Sequence, residues 1–125
     1  MSMSWAIEPE THTVVVSGRG VVDRAFLDQY LTAMTAMGTK GYRKLFDLTH
    51  AAFEVAAPDM GAVAASLTQF GQDKRAGPVA IVIGLSPLSV DTAVLLKRHV
   101  ASTRPLRIFT REDEARRWLM QMPAA

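Results

Sequence analysis

One stretch constrains the fold of this chain more than any other: Val79–Gly84 reads VAIVIG, five apolar side chains followed by a glycine. A strand with one face in water alternates apolar and polar residues, and this run contains no polar position. Four of its six residues are β-branched, which favours extended backbone over helix. The run therefore predicts a parallel strand with both faces covered by other elements.

The rest of the sequence alternates between strand-like and helix-like segments. The first two strands flank a short turn at Pro9–Thr11, which predicts an antiparallel hairpin. The later strands alternate with helical periodicity, which predicts parallel pairing through right-handed crossovers. The five predicted strands are Ser4–Glu8, His12–Ser17, Arg43–Thr49, Val79–Gly84 and Leu106–Phe109.

Four helices follow from capping signals and apolar spacing. Asp23 is a predicted N-cap for the first helix, and Gly38 is its predicted end. The second helix opens at Pro58, and the third opens at Ser86, with proline at its first position. The fourth begins at Thr110, in a sequence close to a capping box. The predicted fold is a single α/β domain over residues 1–125, a mixed five-stranded sheet with four helices.

Composition excludes several classes of function. With no cysteine in 125 residues, the chain has no disulfide, thiolate zinc site or cysteine nucleophile. The three histidines lack metal-ligand spacing, so no metal is expected. Gly18-Arg19-Gly20 lacks the third glycine of a dinucleotide fingerprint, so no cofactor is expected.

The sequence also bears on location and partners. The net charge is only +2, and no nucleic-acid-binding signature is present, so nucleic acid is not an expected partner. The N-terminus lacks the charged and apolar regions of a secretory signal, and no apolar stretch is long enough to span a bilayer. We expect a cytoplasmic protein without a transmembrane segment.

Polar residues follow the predicted parallel strands at one edge of the sheet, where ligands collect in open α/β folds. Their simplest roles are turn hydrogen bonds and helix caps. The helix starts at this edge could alternatively hold an anion. A catalytic relay among Asp47, His50 and Ser86 is the least favoured alternative, because the chain lacks a nucleophile elbow. The candidate residues at the strand ends are Asp47, Thr49, His50, Ser86 and Thr110.

The order of elements, together with RKLFDLTHAAFEV and the tail from Arg107 to Leu119, resembles the STAS domains, which share the fold of the anti-sigma-factor antagonist SpoIIAA. It resembles most the small SpoIIAA-like (STAS/SEC14-like) bacterial proteins. In the antagonists, a phosphorylatable serine stands at the start of the second helix. The matching stretch here is Val55-Ala56-Ala57-Pro58, which has no hydroxyl. The resemblance implies a partner-binding surface at the loop from His50 to Pro58 and at Asp59.

Three functions are compatible with the sequence. The first is a non-enzymatic STAS-like regulatory module that binds a protein partner or self-associates, which predicts an exposed apolar patch near the 50–60 loop. The second is a carrier of a small apolar, lipid-like ligand, which predicts an enclosed apolar pocket. The third, least favoured, is a small enzyme.

Overall fold

The computed structural model describes residues 2–38, 41–53, 58–59, 61–62, 77–84, 86–100 and 105–122. Strands and helices alternate through most of this part of the chain. In chain order the elements are β1 Ser2–Glu8, β2 Thr13–Val22, α1 Arg24–Met37, β3 Arg43–Leu48, β4 Ala51–Phe53, β5 Val79–Ile83, α2 Pro87–Val100, β6 Leu106–Phe109 and α3 Glu112–Gln121.

The main sheet has the strand order β1-β2-β3-β5-β6. β1 pairs with β2 in antiparallel fashion, from Ser2 opposite Arg19 to Glu8 opposite Thr13. The pairs β2–β3, β3–β5 and β5–β6 are all parallel. The structure thus confirms the predicted mixed sheet, with its hairpin at one edge and its parallel units beyond.

A sixth strand, β4, was predicted as loop. It spans only Ala51–Phe53 and pairs in parallel with Gly20–Val22, the second half of β2. β2 continues through Gly18-Arg19-Gly20, where the sequence predicted that it ends, because Gly18 and Arg19 pair with β1 and Gly20 pairs with β4. A three-residue strand is too short to show alternation, and its pairing depends on a partner distant in sequence.

Three helices have both ends in the described part of the chain, where the sequence predicted four. α1, α2 and α3 match three of the predicted helices. The remaining one, predicted from Pro58 to Phe70, lies mostly outside the described residues. The residues described within it, 58–59 and 61–62, are helical.

Two buried clusters flank the sheet. The larger one joins alternate residues of β2, β3 and β5 to α1 and α2, with Phe26 and Leu96 among its members. The smaller one joins the intervening residues to α3, including Leu45, Val82 and Leu119. All five residues of β5 are buried, as its uninterrupted apolar sequence predicts.

The predicted N-cap and C-terminal glycine of α1 are both confirmed, whereas the predicted start of β2 is wrong. The Phe26 backbone N–H donates to Asp23 Oδ1 at 3.1 Å, so Asp23 caps α1. Gly38, after the helix end, has a φ of +66°. His12 was predicted to begin β2, but it lies in the preceding turn with a φ of +49° and stacks on Tyr42.

The amino edge of the parallel strands is held by Arg43, the first residue of β3. Its Nε donates to the carbonyl oxygens of Leu119 and Met122 at the end of α3, at 2.9 and 3.0 Å. Its Nη1 donates to the Thr11 carbonyl in the β1–β2 turn. One guanidinium therefore joins the sheet, the last helix and the first hairpin.

Gly77 provides the first test of this packing. A Cβ at this buried position would collide with the Tyr42 carbonyl oxygen and lie 2.7 Å from the Gly41 carbonyl oxygen. Because both obstacles are backbone atoms, we expect Gly77→Ala to lower the free energy of unfolding by about 1–3 kcal/mol. Urea denaturation followed by circular dichroism measures the loss.

Gly61→Ala is the matched control. A Cβ there meets no other atom within 4 Å, and residue 61 is helical. Alanine favours helix over glycine, so we expect no loss of stability, and a gain of up to about 1 kcal/mol. Equal stability of the Gly77→Ala variant and the wild type would contradict the close approach at Gly77.

Candidate functional site

The turn that ends β3 contains three of the predicted site residues. Asp47 Oδ1 accepts hydrogen bonds from the Thr49 backbone N–H at 3.1 Å and from Thr49 Oγ1 at 2.6 Å. This is an Asx-type turn, in which the carboxylate fixes the backbone two residues later. His50 follows, exposed, at the last position before β4. The turn hydrogen bonds predicted for Asp47 and Thr49 are confirmed.

The end of β5 lies against this turn. A Cβ built on Gly84 would lie 3.2 Å from the Thr49 carbonyl oxygen, which places the two strand ends side by side. Ser86 is exposed directly before α2, and its carbonyl oxygen accepts the Val90 backbone N–H at 3.0 Å. That bond places Ser86 at the N-cap position, as predicted.

Asp59 joins the same edge through an ion pair. Arg24 Nη1, at the start of α1, lies 3.3 Å from Asp59 Oδ1. Arg24 Nε also lies 3.7 Å from Asp28 Oδ2 on the next turn of α1. Because about half of each side chain is exposed, this pair orients Asp59 but contributes at most about 1 kcal/mol to stability.

Thr110 does not cap α3 as predicted. The helix begins at Glu112, with Arg111 at the N-cap position and no side-chain cap. The Arg111 guanidinium bonds the Asp113 carboxylate instead, at 3.2 and 3.3 Å. The Asp113 carboxylate, which a capping box requires as an acceptor for a backbone N–H, is therefore bound by Arg111. Because three acidic residues fill the first turn of α3, this helix start repels an anion.

The structure brings Asp47, Thr49, His50 and Ser86 to one edge without forming a catalytic relay. Among the residues that the structure describes, no hydrogen bond joins Asp47, His50 and Ser86, and the Asp47 carboxylate is engaged by Thr49. The described ranges also contain no group of three histidine, cysteine or acidic residues placed to hold a metal. The geometry at this edge is that of turns and helix starts.

The sequence predicts an exposed apolar patch near the 50–60 loop, but it did not identify the apolar residues exposed at this edge. Val21 is 43% exposed, but it lies opposite Ala52, and because Ala51 packs on the larger cluster, alternation places Val21 on the sheet face away from α2. Val90 and Val94, one turn apart on α2, are 37% and 46% exposed, and α2 packs against β4. Helical spacing predicts a buried side made of Val90, Ala93, Val94, Leu96 and Val100, and of the first four Ala93 and Leu96 are buried, so the prediction is wrong for the two valines. We call the turn 49–50, β4, Asp59 and the first two turns of α2 the strand-end surface.

Comparison with known proteins bears on the fold. No protein-family model matches the chain, and no curated protein matches it. Among the solved structures similar to the chain, three align with 94% of it. An anti-sigma factor antagonist from Mycobacterium paratuberculosis has a TM-score of 0.60 at 19% identity, with 94% of its own chain covered. An uncharacterised DUF3478-family protein with a SpoIIAA-like fold, from Shewanella loihica PV-4, has a TM-score of 0.57 at 18% identity, with 93% of its own chain covered.

The third structure is the anti-sigma factor antagonist SpoIIAA in its unphosphorylated form. It has a TM-score of 0.54 at 16% identity, and 97% of its chain is covered. All three alignments extend over nearly the whole of both chains. Together with the sheet order, they show that this chain has the SpoIIAA-like fold of STAS domains, which confirms the fold that the sequence resemblance implied. Within the described ranges, no helix has the length and apolar character needed to cross a membrane.

The Asp47 turn yields a direct prediction. Asp47→Ala removes the acceptor of both Thr49 hydrogen bonds, so we expect the free energy of unfolding to fall by about 1 kcal/mol. Asp47→Asn keeps one acceptor oxygen and should lose less. Chemical denaturation of both variants measures the difference. A larger loss in the asparagine variant than in the alanine variant would contradict the assigned role of the turn.

Proposed function

We propose that this chain is a non-enzymatic, STAS-like regulatory module that binds a protein partner through the strand-end surface. The observation that carries the proposal is the exposure of Val90 and Val94 on α2, which packs against β4, directly after the exposed His50. Apolar side chains surrounded by a polar rim are the usual composition of a protein interface. Two of the solved structures with this fold are described as antagonists of an anti-sigma factor, which is itself a protein.

The contacts of the acidic residues support a binding role over a catalytic one. Asp47 holds a turn, and Asp59 pairs with Arg24. A general acid or base needs a carboxyl or imidazole group directed at a substrate, and these two carboxylates are directed at their own backbone and at a neighbouring helix. The proposal therefore assigns His50, Asp59 and Ser86 to partner contact.

We further propose that binding does not depend on phosphorylation at the start of the second helix. From His50 to Met60 the sequence contains no serine, threonine or tyrosine. The nearest hydroxyl, that of Thr49, donates to Asp47. The matching stretch, 55–57, lies outside the described residues, so this part of the proposal depends on the sequence. The carrier function and the cytoplasmic location stay predictions.

A pair of matched variants tests where the partner binds. Val94→Glu and Met120→Glu each place a carboxylate at an exposed, apolar helical position, on α2 and α3 respectively. The two helices pack on opposite faces of the sheet. In affinity purification from the native host with quantitative mass spectrometry, we expect Val94→Glu to reduce the co-purified partner at least ten-fold and Met120→Glu to leave it unchanged.

The reverse result, loss with Met120→Glu and retention with Val94→Glu, would move the interface to α3 and contradict the proposal. Purification of a lipid with the wild-type protein, in place of a protein partner, would favour the carrier function. Melting temperatures of both variants must be compared first, because a destabilised bait loses partners non-specifically.

The polar rim has its own test. We expect His50→Ala and Asp59→Asn each to weaken binding to the purified partner by about three- to thirty-fold, the range for truncating polar contacts at an interface. Both positions are exposed or half-exposed, so the free energy of unfolding should change by less than about 1 kcal/mol. Calorimetric titration measures the affinity, and unchanged affinity in both variants would remove these residues from the site.

A further inference from the structure

The outer edge of β1 has the features of a pairing site. Within the described part of the chain, β1 has β2 on one side and no strand on the other. The four consecutive residues 4–7 are all exposed, with Trp5 at 38% and Ile7 at 40%. An open strand edge presents a row of backbone N–H and C=O groups that a further strand can bind.

The two edges of the main sheet differ in how they are protected. β6 has only four residues and carries Arg107, whose guanidinium lies 5.5 Å from the centre of the Phe109 ring. β1 has seven residues, contains no lysine or proline, and pairs with β2 one residue to one without a bulge. Its single charge is Glu8, at its end. Short, charged or bulged edges discourage pairing, and β1 has none of these features in its interior.

We propose that β1 pairs with β1 of a second copy of this chain, antiparallel, about a two-fold axis at Trp5. Along β1, every second residue directs its N–H and C=O groups towards the free edge, and these are the same residues in both copies. Two residues can therefore lie opposite one another only if both are odd-numbered or both are even-numbered. Among such registers, the one centred on Trp5 pairs all seven residues, with Ser2 opposite Glu8 and Met3 opposite Ile7.

The apolar side chains favour this register. Trp5 and Ile7 lie opposite Val16 and Val14 of β2, so they are on the sheet face that carries α1 and α2. In the paired form, Trp5 of each copy lies against Trp5 of the other. Aromatic pairs across antiparallel strands are among the more stabilising cross-strand contacts. The register therefore covers the two large apolar residues that the monomer leaves exposed on this strand.

Charge complementarity supports the same register. Within one copy, Arg19 of β2 lies opposite Ser2 of β1. Glu8 of the other copy would lie opposite that Ser2, so Glu8 and Arg19 face each other across a serine, about 10 Å apart at their Cα atoms. In the single chain the Glu8 carboxylate already lies 3.4 Å from the Arg116 guanidinium of α3, so in the dimer it would lie between two guanidinium groups. The two-fold axis creates the Glu8–Arg19 pair twice, whereas a shift of register by two residues separates both pairs.

Because one strand pair buries less than the standard interface of about 1,600 Å², the dimer should be in equilibrium with monomer. Sedimentation velocity of the purified chain over a range of concentrations should show this equilibrium. We expect Trp5→Lys, which places two like charges opposite each other, to raise the dissociation constant at least ten-fold. Val21→Lys, at a comparably exposed residue away from β1, is the control and should leave it unchanged.

The absence of cysteine allows a test of the register itself. In the proposed dimer, the two Trp5 Cα atoms are about 4.5–5.5 Å apart, within the range that a disulfide bridges. The two Ile7 Cα atoms are about 14 Å apart, which is too far. Under mild oxidation we expect Trp5→Cys to form a disulfide-linked dimer in high yield and Ile7→Cys to form little.

Three results would overturn the proposal: a wild-type chain that stays monomeric at millimolar concentration, a dimer that Trp5→Lys does not weaken, or equal cross-linking of the two cysteine variants. The strand-end surface contains no residue of β1. Partner binding by the Trp5→Lys variant therefore tests the proposed function separately from dimer formation.

Discussion

The rest of the structure depends on the burial of β5 on both faces. A strand with no polar side chain can be stable in water only if elements cover both of its sides, so the chain must supply helices above and below one sheet. α1 and α2 cover one face and α3 covers the other. β5 also supplies the backbone bonds that join β3 to β6, so the central strand fixes the order of the parallel part of the sheet.

The side on which each helix packs follows from the direction of the crossovers. The strand order β2-β3-β5-β6 advances across the sheet without reversal. Right-handed crossovers that advance in one direction place their helices on one face, as observed for α1 and α2. α3 follows the last strand and is free of this constraint. It packs on the opposite face, where Arg43 bonds the carbonyl groups at its end.

The features that sequence could predict are those encoded by neighbouring residues. The apolar run of β5, the cap at Asp23 and the glycine at the end of α1 each depend on a few adjacent positions. β4 depends on a strand some thirty residues earlier, and the start of α3 depends on whether Asp113 bonds the backbone or Arg111. The exposure of Val90 and Val94 depends on which side of α2 faces the sheet: Ser89, Thr92, Ala93 and Leu96 are buried, and the two valines lie beside that row.

The two proposed surfaces are geometrically compatible. Antiparallel pairing of β1 with its copy reverses the direction of every strand in the second sheet relative to the first. The carboxyl ends of the parallel strands, and with them the strand-end surfaces, then lie at opposite rims of one continuous sheet. Each copy can bind a partner without blocking the other, and two tethered partners would gain from the raised effective concentration of the second site. Dimer formation would then increase the avidity for a paired or repeated partner without changing a single contact at the strand-end surface.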